Sequence, residues 1–375
     1  MKLIHISDLH IGKKVNSFSM LENQIHVLKQ IVEIIKEEMP AAVLVSGDVY
    51  DKMNPSEEAV RCMDEFLVQL SRLPAEVFVL SGNHDSAERI AFASRLIDAS
   101  GIHMCPVFKG ETNRYSLSDE YGVLNIYMLP YIKPVHIRRF FPGEKAETAS
   151  DAVRIAVEKM NINTCERNVI MSHQFVTGSV IGETELNVGG LDEVSAGCYE
   201  AFDYAALGHI HSPQNVVKNK IRYCGTPLKY SFEESSQVKS LTIVDIKEKG
   251  NVEVSERMLT PLYDFIKIEG AFADIMNAEK NQTVYDYVEV TLTDELDIPD
   301  AFRRLETVFP NLMKLKYNNR RTRRKREAEM IPEASEISEI KLIEQFYELQ
   351  NNIPLSELQR EYVNEIIKKV REDMQ

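Results

Sequence analysis

Several features that would mark other kinds of protein are missing from this chain. Its five cysteines, Cys62, Cys105, Cys165, Cys198 and Cys224, are odd in number, lie far apart and form no C-x-x-C pair, which excludes a disulfide framework and a thiolate zinc site. No apolar run approaches the roughly 18 residues that a membrane span needs. The opening MKLIHISDLHIG places Asp8 and His10 too early for a secretory hydrophobic core, so a cytoplasmic protein with no membrane partner is expected. No internal repeat, low-complexity tract or Walker A loop occurs, and the last absence argues that the chain does not itself bind ATP. Excess positive charge is absent too. The net charge of −14 excludes a protein that coats nucleic acid by electrostatics alone, so any such contact must come from metal ions, a local basic stretch or a partner.

What is present reads as a folded protein of 375 residues, 44% hydrophobic and 27% charged, long enough for one large domain and small appendages. Over the first two thirds, short β-branched runs alternate with amphipathic stretches, the rhythm of an α/β domain. Lys2 to Ser7 is expected as a strand running into Asp8. Ile25, Leu28, Val32 and Ile35 lie at helical spacing before Pro40 stops them, and Ala42 to Ser46 forms the next strand, ending at Gly47-Asp48. The grammar recurs with helix Glu57 to Leu73, strand Val77 to Ser81 and Gly82-Asn83-His84-Asp85. It recurs again with strand Asn168 to Ser172 before His173, and with Tyr204 to Leu207 before Gly208-His209-Ile210-His211. After Pro261 a smaller β-α-β-α-β unit is expected. A basic run, Arg320-Arg321-Thr322-Arg323-Arg324-Lys325-Arg326, follows, and then two amphipathic helical stripes. The expected boundaries are 1–258, 259–318, 319–336 and 337–375.

Polar residues thus recur at the C-terminal ends of apolar strands, where loops converge in open α/β sheets. Asp8, His10, Asp48, Asn83, His173, His209 and His211 supply carboxylate, amide and imidazole donors, the ligand set of a hard to borderline divalent ion such as Mn²⁺. Seven donors are too many for one ion but suit two ions ~3.5–4 Å apart that share a carboxylate, for which Asp48 is the candidate. His5, His26, His103 and His136 are read as ordinary structural histidines.

D-x-H at Asp8–His10, GD at Gly47-Asp48, GNHD at Gly82–Asp85, His173 and GHxH at Gly208–His211 resemble the calcineurin-like metallophosphoesterase superfamily, in its motif order. That resemblance implies a four-layer α/β sandwich of two mixed β-sheets flanked by helices. It implies one metal held by Asp8, His10, Asp48 and His211, and a second by Asp48, Asn83, His173 and His209. It makes His84 the catalytic residue that stabilises the transition state or protonates the leaving oxygen. Asp51, at the spacing of a carboxylate that orients this histidine in phosphatase members, is a further catalytic candidate; whether Asp51 or Asp85 orients His84, or Asp51 only shapes the substrate mouth, is left open. VSGDVYDKMNPS, YAALGHIHSPQ and IRYCGTPLKYSFEE narrow the resemblance to the SbcD family of bacterial nuclease subunits. It implies two Mn²⁺ per chain, an α+β capping domain that selects DNA shapes, and helices that grip the SbcC ATPase in an assembly of two nuclease and two ATPase subunits, with the nuclease subunits paired as a homodimer. The implied activities are ATP-dependent double-strand exonuclease and single-strand or hairpin endonuclease action in DNA repair, recombination and replication. Arg320, Arg321, Arg323, Arg324, Lys325 and Arg326 are candidates for DNA contact, or form a solvated hinge. A small-molecule phosphodiesterase or phosphatase on the same metals is the competing reading.

Overall fold

The computed structural model describes residues 1–86, 98–180, 193–277, 285–322, 339–351 and 354–373. The chain divides into two compact units, Met1–Phe265 and Ile266–Gln375.

The first unit is built on two six-stranded mixed sheets. One runs β16 (Val252–Met258), β15 (Ser240–Ile246), β1 (Lys2–Ile6), β4 (Ala42–Ser46), β5 (Glu76–Leu80), β6 (Ile102–Cys105). The other runs β13 (Gln214–Val217), β14 (Ile221–Tyr223), β12 (Tyr204–Gly208), β9 (Arg167–His173), β8 (Gly122–Leu129), β7 (Asn113–Asp119). In each sheet four neighbouring strands are parallel, β1, β4, β5 and β6 in the first and β14, β12, β9 and β8 in the second. Antiparallel strands complete the edges. The parallel strands are near-continuous apolar runs because both of their faces are covered.

Alternate residues of the two sheets meet in a shared core. Leu3, Leu44, Phe78, Leu80 and Val244 of the first sheet pack with Ile126, Met128, Val169, Met171 and Ala206 of the second. The opposite face of the second sheet, through Tyr127, Ile170, Ala205 and Leu207, packs against helix α4 (Ala149–Glu158), next to α3 (Pro134–Phe140). Helices α1 (Leu21–Glu38) and α2 (Glu57–Leu70) pack together and carry buried apolar stripes. Met39, in the left-handed region at φ 44°, caps α1 before Pro40. Ser56 caps α2 by accepting the Ala59 N–H. Two small ladders, β2 (Lys14–Val15) with β3 (Phe18–Ser19) and β10 (Phe175–Val176) with β11 (Glu193–Val194), follow the ends of β1 and β9.

The unit extends past the expected boundary at 258 because Leu259–Asp264 is tied back to it. Asn23 of α1 accepts the Leu262 N–H at 2.7 Å and donates to the Tyr263 carbonyl at 2.7 Å, and Lys229 pairs with Asp264 at 2.9 Å.

In the second unit, β17 (Phe265–Gly270), β18 (Tyr287–Leu292) and β19 (Leu312–Tyr317) form a three-stranded sheet. Its core joins Val288, Val290 and Leu292 to Phe272 and Ile275 of α5 (Phe272–Asn277) and Leu305 of α6 (Ala301–Glu306). Helices α7 (Glu339–Asn351) and α8 (Glu357–Asp373) pack on each other, with Gln359 donating to the Tyr347 hydroxyl at 3.0 Å. Ile343, Phe346, Leu358, Tyr362 and Ile366 remain exposed on this pair. Among the described residues no helix is long and apolar enough to cross a membrane.

Candidate metal centre

The chemistry-bearing residues sit where the parallel strands stop. Asp8 and His10 follow β1, Asp48 follows β4, Asn83 and His84 follow β5, His173 ends β9, and His209 and His211 follow β12. All five strands present the same end, so the loops of both sheets converge. Hydrogen bonds then lock one sheet's loops to the other's: the His209 N–H donates to the Asp8 carboxylate at 3.0 Å, and His173 Nδ1 donates to the Ser46 carbonyl at 2.8 Å.

Backbone strain accompanies this convergence. Asp8 (φ 53°), His10 (φ 43°), Asp48 (φ 47°) and His209 (φ 105°) occupy the left-handed half of backbone space. Such conformations cost about 1–3 kcal/mol each and persist where the surroundings over-determine them. Two glycines make the approach possible. Gly47 takes φ +95°, and a side chain on it would strike the His173 ring; a Cβ on Gly208 would strike the Ser46 carbonyl and come within 2.7 Å of His173 Nδ1.

Asp48 occupies the centre. Its Oδ2 lies 3.4 Å from His173 Nε2, 3.7 Å from His10 Nε2 and 4.0 Å from His84 Nε2, while its Oδ1 accepts the His84 N–H at 3.0 Å. To one side, His10 Nε2 and His211 Nε2 face each other at 3.2 Å. To the other, Asn83 Oδ1 is shared by His173 Nε2 at 3.0 Å and His209 Nδ1 at 3.1 Å. All seven expected ligands are therefore brought together. Asp8, His10 and His211 form one triplet with donor atoms within 4.8 Å of one another, and Asp8, Asp48 and His173 form another.

Three of the imidazoles are held in the neutral form that a cation needs, while Asp8 and His173 would give up protons to it. Burial pushes His211 down to about 3, His209 down to about 4, and His10 well below its ordinary value, so three imidazoles offer lone pairs at neutral pH. Burial, reinforced by the Asp48 charge, pushes Asp8 up to about 7. Burial opposes charge on Asp48 and His173 as well, but their mutual attraction wins, holding Asp48 below its ordinary value and raising His173 to about 9. Without a metal, the positive charge that balances Asp48 is the proton on His173, which a bound cation would replace, and His10 Nδ1 has no hydrogen-bond partner. The donor set fits two divalent cations.

His84 is different: its ring nitrogen forms a third such triplet with His10 and Asp48, but its side chain is 44% exposed and stands at the solvent edge of the centre. The ring is held by the backbone of Asp51, whose carbonyl accepts from Nδ1 at 3.0 Å. The Asp51 carboxylate, considered from sequence as the orienting group, faces Lys13 at 2.8 Å and lies 3.9 Å from His10 Nδ1. Asp85 does not touch the ring. It accepts the N–H groups of Gly82 (2.8 Å), Val49 (3.1 Å) and Tyr50 (2.9 Å), stitching the loop of Asp48 to the loop of Asn83.

Sequence reasoning missed three supports. Lys13 follows His10 in the same loop, a signal that proximity could have supplied. Ser46 acts through its carbonyl, which no side-chain pattern betrays. Lys239 lies beneath His211, donating to its carbonyl at 3.0 Å and to Thr226 at 2.9 Å and pairing with Glu234 at 2.5 Å. Those partners come from distant turns with no local signature. Of the basic run, Arg320 and Arg321 are exposed and paired with Glu295 and Asp297, while Arg323, Arg324, Lys325 and Arg326 lie outside the described residues.

Two family models match the chain. The model of the calcineurin-like phosphoesterase family matches residues 1–213. The SbcD_C model, described as the type 5 capsule protein repressor C-terminal domain, matches residues 261–351. Two solved structures are similar at 12% identity. One covers 68% of this chain and 98% of its own with a TM-score of 0.38; the other, a dimetal phosphatase from Danio rerio, covers 70% and 98% with a TM-score of 0.39. The chain belongs to the calcineurin-like phosphoesterase family and is a phosphoester hydrolase, with the domain pairing of an SbcD-type nuclease.

Proposed function

We propose that this chain cuts DNA phosphodiesters with two divalent ions, Mn²⁺ by preference. Asp8, His10, Asp48 and His211 would hold one ion, and Asp48, Asn83, His173 and His209 the other. The observation that carries the metal reading is the position of Asp48, whose Oδ2 lies between His10 of one sheet's loops and His173 of the other's. The DNA reading rests on the two family matches occurring in one chain.

Bound there, the cations supply Lewis acidity toward the phosphodiester and acidify water. The protein's part is orientation and proton handling. Ser46 fixes the His173 ring, and the left-handed turns aim the Asp8, His10, Asp48 and His209 side chains inward. With Nδ1 donating to the Asp51 carbonyl, His84 presents Nε2 toward the Asp48 side, where the doubly protonated ring can donate to a phosphoryl oxygen or pass its Nε2 proton to the leaving oxygen and remain as the neutral Nδ1–H imidazole. Asp51 keeps Lys13 at the mouth by ion pairing.

The partner is an SbcC-type ATPase, gripped by the exposed apolar residues of α7 and α8, in an assembly of two subunits of each kind with ATP handled by the partner. Turnover of a DNA hairpin, bis-p-nitrophenyl phosphate and p-nitrophenyl phosphate in Mn²⁺, with Asp48→Ala as control, tests the reading. Hairpin and diester cleavage that Asp48→Ala abolishes is expected; cleavage of the monoester alone would favour a small-molecule phosphatase.

A further inference from the structure

A cationic ridge leads away from the metal centre. Segment 131–140 reads YIKPVHIRRF and is tied to both ligand-bearing loops on the Asn83 and His173 side. The Tyr131 N–H donates to the carbonyl of Ser81, just before Gly82-Asn83, at 3.3 Å. Gln174, the buried neighbour of His173, donates to the Ile132 carbonyl at 3.2 Å. The Tyr131 ring stands edge-on to the His173 ring at 6.4 Å.

Outward from this anchor, the Lys133 ammonium lies over the Tyr131 ring at 5.7 Å, and α3 follows with Arg138 and Arg139 in its last turn. Arg138 donates to the Ala146 carbonyl, and Arg139 lies against Phe140. Lys109 lies in a neighbouring loop that packs against the end of α3: Phe108 meets Phe140 at 5.9 Å, and a Cβ on Gly110 would come within 3.0 Å of the Phe140 ring. All four cations are exposed, and among the described residues none is paired with a carboxylate. Arg320 and Arg321 of the basic run, by contrast, are each neutralised by an acid of their own unit. On a chain of net charge −14, a patch of cations that no carboxylate among the described residues pairs with, fastened to the catalytic loops, calls for an anionic occupant that extends beyond one phosphate.

We propose that Lys133, Arg139 and Lys109 hold the phosphate backbone of the DNA strand as it leaves the metal centre, with Lys133 meeting the phosphate nearest the centre. This deepens the nuclease reading above and rests on it. Contacts of this kind set register and orientation without reading sequence, so the preference is for strand geometry and not for particular bases.

The test uses the full chain with Lys133→Gln, Arg139→Gln and Lys109→Gln combined, sparing Arg138 because it fastens the Ala146 carbonyl. Binding of a single-stranded oligonucleotide is followed against salt. Turnover of bis-p-nitrophenyl phosphate, too short to reach the ridge, is the internal reference. Each lost phosphate contact should lower the slope of log affinity against log salt by about 0.7, so the triple variant should lose about 2. An unchanged slope in a chain that cuts DNA overturns the ridge alone. Equal losses on the oligonucleotide and the reference diester overturn it as well, since the three cations would then be acting on the centre. A wild-type chain that hydrolyses the diester but neither binds nor cuts DNA overturns the nuclease reading and the ridge together.

Discussion

Replacing Asp85 separates the two loops that carry Asp48 and Asn83 without touching either residue. Its Oδ2 accepts from Gly82 and Val49, and its Oδ1 from Tyr50. Asp85→Ala strands two buried N–H groups and one half-buried N–H, at ~1–3 kcal/mol per buried donor. Part of that cost is offset because burial, with the Asp48 charge, already pushes the carboxyl up to about 6, so the ionised form is itself disfavoured. A net loss of about 2–4 kcal/mol follows. Asp85→Asn can keep one oxygen on Gly82 and Val49 and turns an amide N–H toward Tyr50, so about 1 kcal/mol is expected. Urea denaturation in EDTA at neutral pH separates these fold effects from metal binding. Diester turnover in Mn²⁺ should fall about 100-fold for the alanine variant, since displacement of about an ångström suffices for that. Equal midpoints for wild type and Asp85→Ala, or a larger loss for asparagine than for alanine, would refute the stitching argument.

His84→Ala should lower DNA and diester turnover by about 10²–10⁴-fold while leaving the melting temperature and bound metal unchanged, because the exposed ring supports no core. Loss of metal along with activity would show that His84 is a ligand instead. His5 is fully buried, 3.0 Å from the Tyr204 hydroxyl, and burial, aided by the Arg222 charge, lowers it to about 3. The unfolded chain therefore takes up a proton between about pH 6.5 and 3 that the folded chain refuses. The stability His5 contributes is fully present above that window and declines as pH falls, by up to ~1.4 kcal/mol per unit. Unfolding free energies of wild type and His5→Gln from pH 7 to 4.5 should diverge, the wild type falling more steeply; parallel curves would contradict the assignment.

Much of the catalytic unit was legible because each ligand follows directly on an apolar strand. Strands Ala42–Ser46, Tyr287–Leu292 and Leu312–Tyr317 have the bounds that their hydrophobic patterns suggest. Helix ends were less legible. The stretch expected to run from Glu57 to Leu73 ends at Leu70, because the breaker that the sequence shows, Pro74, stands four residues past the point where the helix stops. Strands β7 and β8, and helices α3 and α4, went unassigned because residues 110–160 carry no strand-end donors to draw attention. The part of the site hardest to read is backbone chemistry. That the Asp51 carbonyl, and not its carboxylate, meets His84 depends on how its loop turns, and spacing does not encode it. Asp85 looks like a turn residue in sequence and proves to be an acceptor for three separate N–H groups, two of them thirty-five or so positions away.

The most direct measurement is manganese stoichiometry joined to electron paramagnetic resonance of the loaded chain. Two ions bound per chain, with the spectrum of a spin-coupled pair ~3.5–4 Å apart that Asp48→Ala reduces to isolated-ion lines or to none, is the predicted result. A single ion per chain, or two ions giving only isolated-ion lines in the wild type, would contradict a centre in which Asp48 joins both halves.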